Sequence, residues 1–124
     1  MGSGADIVSI GELLKATKAG INPKKIVFSG IGKTEEEIRM AIKKRVLLIN
    51  AESESEVNLI NKISKKISKK TSIGIRLNPN VTGKTHQKIS TGGKNEKFGL
   101  PYNDFINLSK KMKKMKNLDL QGIS

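Results

Sequence analysis

Short apolar runs alternate with stretches of helical period along the chain. Asp6-Ile7-Val8 leads into residues 9–19, where Leu13 and Ala16 fall on one face. Lys25-Ile26-Val27-Phe28 leads into 34–44, which groups Ile38, Ala41 and Ile42. Val46-Leu47-Leu48-Ile49-Asn50 leads into 53–68, where Val57, Ile60, Ile63 and Ile67 recur at helical spacing. Ile73-Gly74-Ile75-Arg76-Leu77 is followed, after a long loop, by 101–116, with Phe105, Leu108, Met112 and Met115 as the stripe. A last apolar run covers 118–123. The pattern predicts five strands and four helices in strict alternation.

The junctions strengthen that reading. Ser9-x-x-Glu12, Thr34-x-x-Glu37 and Ser53-x-x-Glu56 each follow an apolar run and have the form of a capping box, in which the hydroxyl and the glutamate satisfy orphan amides reciprocally. Gly20 suits a helix stop and Pro101 a first helical position. Strand, capped helix, strand implies parallel pairing and right-handed crossovers. The fold class is therefore α/β, either a doubly wound sheet or part of a (βα)8 barrel. A complete barrel takes about 250 residues, and this chain has 124. One domain over 1–124 is expected; as a barrel it would be only a partial one with two unpaired strand edges, so the sequence looks like an excerpt.

Composition narrows the chemistry. No apolar run approaches the roughly 20 residues of a membrane span, and no export signal opens the chain. With no Cys, a disulfide framework, a thiol nucleophile and a thiolate metal site are excluded. A cytoplasmic setting is expected. The net charge of +13 raises nucleic acid as a partner. Against it, only Arg39, Arg45 and Arg76 carry a guanidinium, and Phe28, Phe98, Tyr102 and Phe105 are the only aromatics. Much of the lysine falls late in the expected helices (Lys43-Lys44, Lys65-Lys66, Lys69-Lys70), where cations suit the helix dipole. A solvated basic surface is the better reading.

Four places could carry chemistry. Gly30-Ile31-Gly32-Lys33-Thr34 looks like the tail of a phosphate loop, but the first glycine of that motif is replaced by Val27, so a βα turn before a Thr cap is expected. His86 stands alone and assembles neither a metal site nor a triad. It falls in a Gly/Lys/Thr-rich loop from Asn78 to Lys97 whose length marks a functional loop. Asp6 opens the first expected strand, and Arg76 lies inside the fourth apolar run. A buried Arg76 needs an anion or acceptor, supplied either by a structural ion pair or by a ligand at the C-terminal end of a barrel strand. Glu52 has the same address, with helix capping as its plainer role.

Taken together, Gly4-Ala5-Asp6-Ile7-Val8-Ser9, Ile26-Val27-Phe28-Ser29-Gly30, Asn50-Ala51-Glu52-Ser53, Arg76-Leu77-Asn78-Pro79-Asn80, Lys84-Thr85-His86, Ile89-Ser90-Thr91-Gly92 and Lys97-Phe98-Gly99 resemble the diaminopimelate decarboxylases. Those enzymes use pyridoxal 5'-phosphate (PLP) on an alanine-racemase-like barrel. The resemblance spans essentially the whole chain, with small departures at Ile10 and Gly93. It implies an internal segment, about barrel strands two to six, of an enzyme that converts meso-2,6-diaminopimelate to L-lysine. It also implies a small amino-acid substrate and a homodimer, with Lys97 at a position relatives use near the subunit interface. Asp6 and Arg76 would lie near the cofactor or its lysine. That Schiff-base lysine sits in a Tyr-Ala-x-Lys-Ala motif upstream, so no catalytic residue is expected in these 124 residues and the segment alone is expected to be inactive. A non-catalytic PLP-binding barrel relative and a basic nucleic-acid-binding α/β module are the competing readings.

Overall fold

A computed structural model describes residues 2–78 and 99–124. In chain order these form β1 (Ala5–Ile7), α1 (Ile10–Lys18), β2 (Ile26–Phe28), α2 (Glu35–Lys43), β3 (Leu48–Ala51), α3 (Glu54–Lys66), β4 (Thr71–Ile75), α4 (Tyr102–Met112) and β5 (Leu118–Ile123). The five strands make one parallel sheet in the order β1-β2-β3-β4-β5, each neighbour in space being the next strand in the chain.

That order, with the location of the core, separates the two architectures. Ile7, Ile26, Phe28, Ile49, Ala51, Ile73, Ile75 and Leu118 come from one side of the strands. They join Leu13, Ile38, Val57, Ile60, Leu108 and Met112 of the four helices in a single apolar cluster. Alternate strand residues face opposite ways, so the helices lie on one face only. A doubly wound sheet reverses its order and covers both faces; this one does neither, as a stretch of barrel wall does. The other face carries Asp6, Val27, Leu48, Asn50, Ser72, Gly74 and Asp119, by alternation and by the registers Asp6↔Val27↔Leu48, Asn50↔Gly74 and Ser72↔Asp119.

Each expected helix forms with most of its expected apolar stripe, Ile67 and Met115 falling just past the ends of α3 and α4. Their ends are shorter than expected. α3 stops at Lys66, with Ser68 taking φ 54° to turn the chain toward β4. α4 stops at Met112, because three-residue turns (Lys114 N–H to Lys111 O, Met115 N–H to Met112 O) bring Leu118 into the sheet.

Of the three capping boxes, only that at Thr34 is complete, with Thr34 Oγ1 accepting from Glu37 N–H at 3.1 Å and Glu37 accepting from Thr34 N–H at 2.9 Å. Ser9 and Ser53 do accept from Glu12 and Glu56 N–H, yet their glutamates reach one residue further back, to Val8 N–H at 2.9 Å and Glu52 N–H at 3.1 Å. The cap backbone accounts for the shift. Ser9 and Ser53 are fully extended (φ −153° and −157°), which turns their own N–H away, whereas Thr34 has φ −78°.

Parallel winding also organises the charge. Every helix starts at the C-terminal edge of the sheet with acid in its first turn (Glu12; Glu35, Glu36 and Glu37; Glu54 and Glu56; Asp104) and ends with lysine. Among the described residues, no helix is long and apolar enough to cross a membrane. Phe28→Ala, at a fully buried position, is expected to lower the unfolding free energy by about 3–5 kcal/mol. Ser53→Ala, which removes one cap, is expected to cost about 1 kcal/mol. Urea unfolding of the protein measures both.

Candidate functional site at the C-terminal edge of the sheet

The chain leaves β1, β2, β3 and β4 at one edge of the sheet, where the first-turn carboxylates also lie. After β2, Gly30 and Gly32 adopt φ +93° and +72°, values open to glycine, and the turn swings Lys33 back under the edge. Lys33 is not a phosphate-loop lysine. Its side chain is 1% exposed, and Nζ donates to Gly30 O at 2.6 Å, to Asn50 O and to Glu56 Oε1 at 2.8 Å. It also lies 5.7 Å from the centre of the Phe28 ring. All three ammonium protons have acceptors, which is what makes such burial tolerable. An amine so occupied is no nucleophile.

Glu56 is correspondingly more than a capping residue. One of its oxygens, Oε1, accepts both from Lys33 and from Glu52 N–H. Glu52 in turn has a side chain only 4% exposed, and its Oε1 lies 3.3 Å from Arg76 Nη1. Lys33, Glu56, Glu52 and Arg76 thus form a polar chain crossing the ends of β2, β3 and β4.

The expectation that Arg76 is buried inside the fourth strand is corrected here. β4 ends at Ile75, and although Arg76 N–H still bonds to Ala51 O at 3.0 Å, its side chain is 47% exposed. Leaving the strand end lets the guanidinium reach water while one side stays on Glu52. Asp6 does not open β1 but sits at its centre, exposed, on the same face as Asn50 and Gly74. The two residues therefore share a face but occupy different levels: Asp6 at mid-strand, Arg76 at the edge. His86, Lys97 and most of the expected functional loop lie outside the described residues.

Sequence reasoning missed the Asn50–Gly74 contact. Asn50 Nδ2 donates to Ser29 Oγ at 3.2 Å, while its buried Oδ1 has no hydrogen-bond partner among the described residues and rests against the Gly74 backbone. A Cβ at Gly74 would overlap that oxygen, so glycine is required by close approach rather than by its dihedral angles. Beside Glu52, a cavity of about 330 Å³ opens on the same edge, lined by Ser53, Leu100, Pro101 and Asp104 among others.

Comparison with known proteins matches this geometry to a family. The pyridoxal-dependent decarboxylase model, for its pyridoxal binding domain, covers residues 1–124. The diaminopimelate decarboxylase of Aquifex aeolicus is 45% identical over 123 residues, which is 99% of this chain and 29% of that protein. The crystal structure of diaminopimelate decarboxylase from Helicobacter pylori complexed with L-lysine superposes with a TM-score of 0.85 at 44% identity, covering 98% of this chain and 31% of that one. An arginine decarboxylase from Paramecium bursaria Chlorella virus shares the fold at TM-score 0.70 and 21% identity. The chain thus spans under a third of the length of the relatives it matches. The resemblance read from the sequence is borne out, as is the barrel-type α/β fold.

Gly74→Ala is expected to cost about 1–3 kcal/mol through overpacking. Adding Asn50→Ala should recover part of that loss, because it removes the group the methyl strikes. A double-mutant cycle in urea checks the coupling.

Proposed function

Because the chain belongs to the pyridoxal-dependent decarboxylases, through their pyridoxal binding domain, we propose that the protein it forms part of decarboxylates meso-2,6-diaminopimelate to L-lysine with PLP as cofactor. The observation that carries this reading is 45% identity to a diaminopimelate decarboxylase over 99% of the chain. The proposal places residues 1–124 in the barrel wall, about strands two to six, within a cytoplasmic homodimer that acts on a small amino acid.

The residues fit such a cofactor. PLP brings anionic phosphate and phenolate oxygens, and in this family it is held by a lysine amine. The face not covered by helices offers a half-exposed guanidinium, Arg76, and an exposed carboxylate, Asp6. Gly74 between their levels contributes no side chain to that face. When bound, PLP supplies the electron sink that allows CO2 to leave.

The work of this segment is electrostatic. Arg76 donates to an anionic oxygen of the ligand, a charge-assisted contact. Asp6 holds a protonated amine and keeps it oriented. Glu52 takes one side of the Arg76 guanidinium and so fixes the direction in which its other donors point. Lys33 stays out of the chemistry, because its ammonium is fully engaged.

In the full-length protein, Arg76→Met is expected to weaken PLP binding by about tenfold or more, the equivalent of one charged hydrogen bond. Asp6→Asn should lower kcat with a smaller change in cofactor affinity. Absorbance titration with PLP and a CO2-release assay separate the two. The 124 residues by themselves, supplied with PLP and diaminopimelate, should release no CO2; release above background would overturn the assignment of the reactive lysine to another part of the protein.

A further inference from the structure

The buried pair Lys33–Glu56 does something that a purely stabilising contact would not. A well-packed apolar pair serves stability as well or better. Here a single oxygen, Glu56 Oε1, also receives Glu52 N–H at 3.1 Å, and the buried Glu52 carboxylate receives Arg76 at 3.3 Å. Lys33 Nζ fastens that oxygen to Gly30 O of the β2 turn and Asn50 O of β3. The direction of Glu52 is therefore set in part from the turn after the neighbouring strand, β2.

We propose that Glu56 is a positioning residue for Arg76: pinned by Lys33, it holds the Glu52 backbone so that the Glu52 carboxylate presents the guanidinium to the ligand. The inference rests on the reading of Arg76 as a cofactor contact. It assigns Lys33 and Glu56 a role in cofactor affinity although neither faces the open side of the sheet. Glu52, in contact with Arg76, is the last link of the relay.

The test uses the full-length protein with PLP as the probe. Glu56→Met alone leaves the Lys33 ammonium unpaired, and both melting temperature and PLP affinity should fall. The double variant Lys33→Met/Glu56→Met removes the unpaired charge, so the melting temperature should return toward the parent value. PLP affinity should stay down by about tenfold, the effect of one charged hydrogen bond, because Glu52 N–H still lacks its acceptor. Glu56→Gln keeps an oxygen for that amide and should rescue affinity relative to Glu56→Met.

Affinity that recovers together with stability in the double variant would overturn the proposal, as would failure of the glutamine to rescue. Should the double variant not fold, Glu52→Met, which leaves the buried Lys33–Glu56 pair intact and removes the acceptor of Arg76, should show the same affinity loss; unchanged affinity there counts against the proposal. If Arg76→Met leaves PLP affinity unchanged, the reading of Arg76 has failed. The Arg76–Glu52 contact in a crystal structure of the double variant then decides the positioning role: loss supports it, persistence overturns it.

Discussion

Everything in this segment follows from winding a parallel sheet in one direction only. When each strand lies beside the next in the chain and every helix crosses on the same side, one set of alternate strand residues must be apolar and the other set is released from that duty. Ile26, Phe28, Ile49, Ile73 and Ile75 meet the first requirement. Asp6, Asn50, Ser72, Gly74 and Asp119 share the second set with Val27 and Leu48, where a packed two-faced sheet would be apolar throughout. The same winding sends all helix N-termini to one edge. The acids that favour those ends therefore collect beside the residues released from the core.

A polar edge has its own difficulty, since backbone and side-chain groups there are partly dehydrated. The structure meets it with a connected chain rather than isolated pairs. Lys33 satisfies two carbonyls and a carboxylate, Glu56 satisfies an ammonium and an amide, and Glu52 satisfies an arginine. Removing one member leaves a buried charge or donor without its partner, which typically costs about 3–5 kcal/mol for a buried ion pair. Such a network is stiff, and a stiff edge suits a site that must hold a cofactor in one orientation.

How much of this was legible in the sequence differs by interaction range. The helical stripes, the caps at Ser9, Thr34 and Ser53, and the alternation itself are local, spanning at most a few residues, and all are present. The choice of barrel over a doubly wound sheet needed strand order, which neither alternation nor chain length encodes; the family resemblance supplied it. The Lys33–Glu56 pair joins residues 23 apart, and nothing at either end advertises the other. Lys33 was hidden behind a phosphate-loop look-alike, and Glu56 behind a capping box that it half fulfils. Gly74 could have been noticed as an unexplained glycine inside an apolar run, but its reason, the Asn50 amide on the next strand, is visible only in the register.

Arg76 shows where pattern reasoning misjudges a strand end. Counted within an apolar run, it looked buried and in need of rescue. One residue past the last ladder pair the backbone is still bonded, through Arg76 N–H and Ala51 O, but the side chain has left the sheet's shadow. That single-residue offset turns a costly buried charge into a tethered, half-solvated one. At about half exposure the guanidinium is less dehydrated than a buried one would be, and it is held at the strand end by Glu52. A fully buried arginine would have exhausted its donors on the protein, and a fully exposed one would have to be ordered at each binding event. The intermediate position, with Glu52 beside it, keeps the guanidinium both tethered and within reach of solvent.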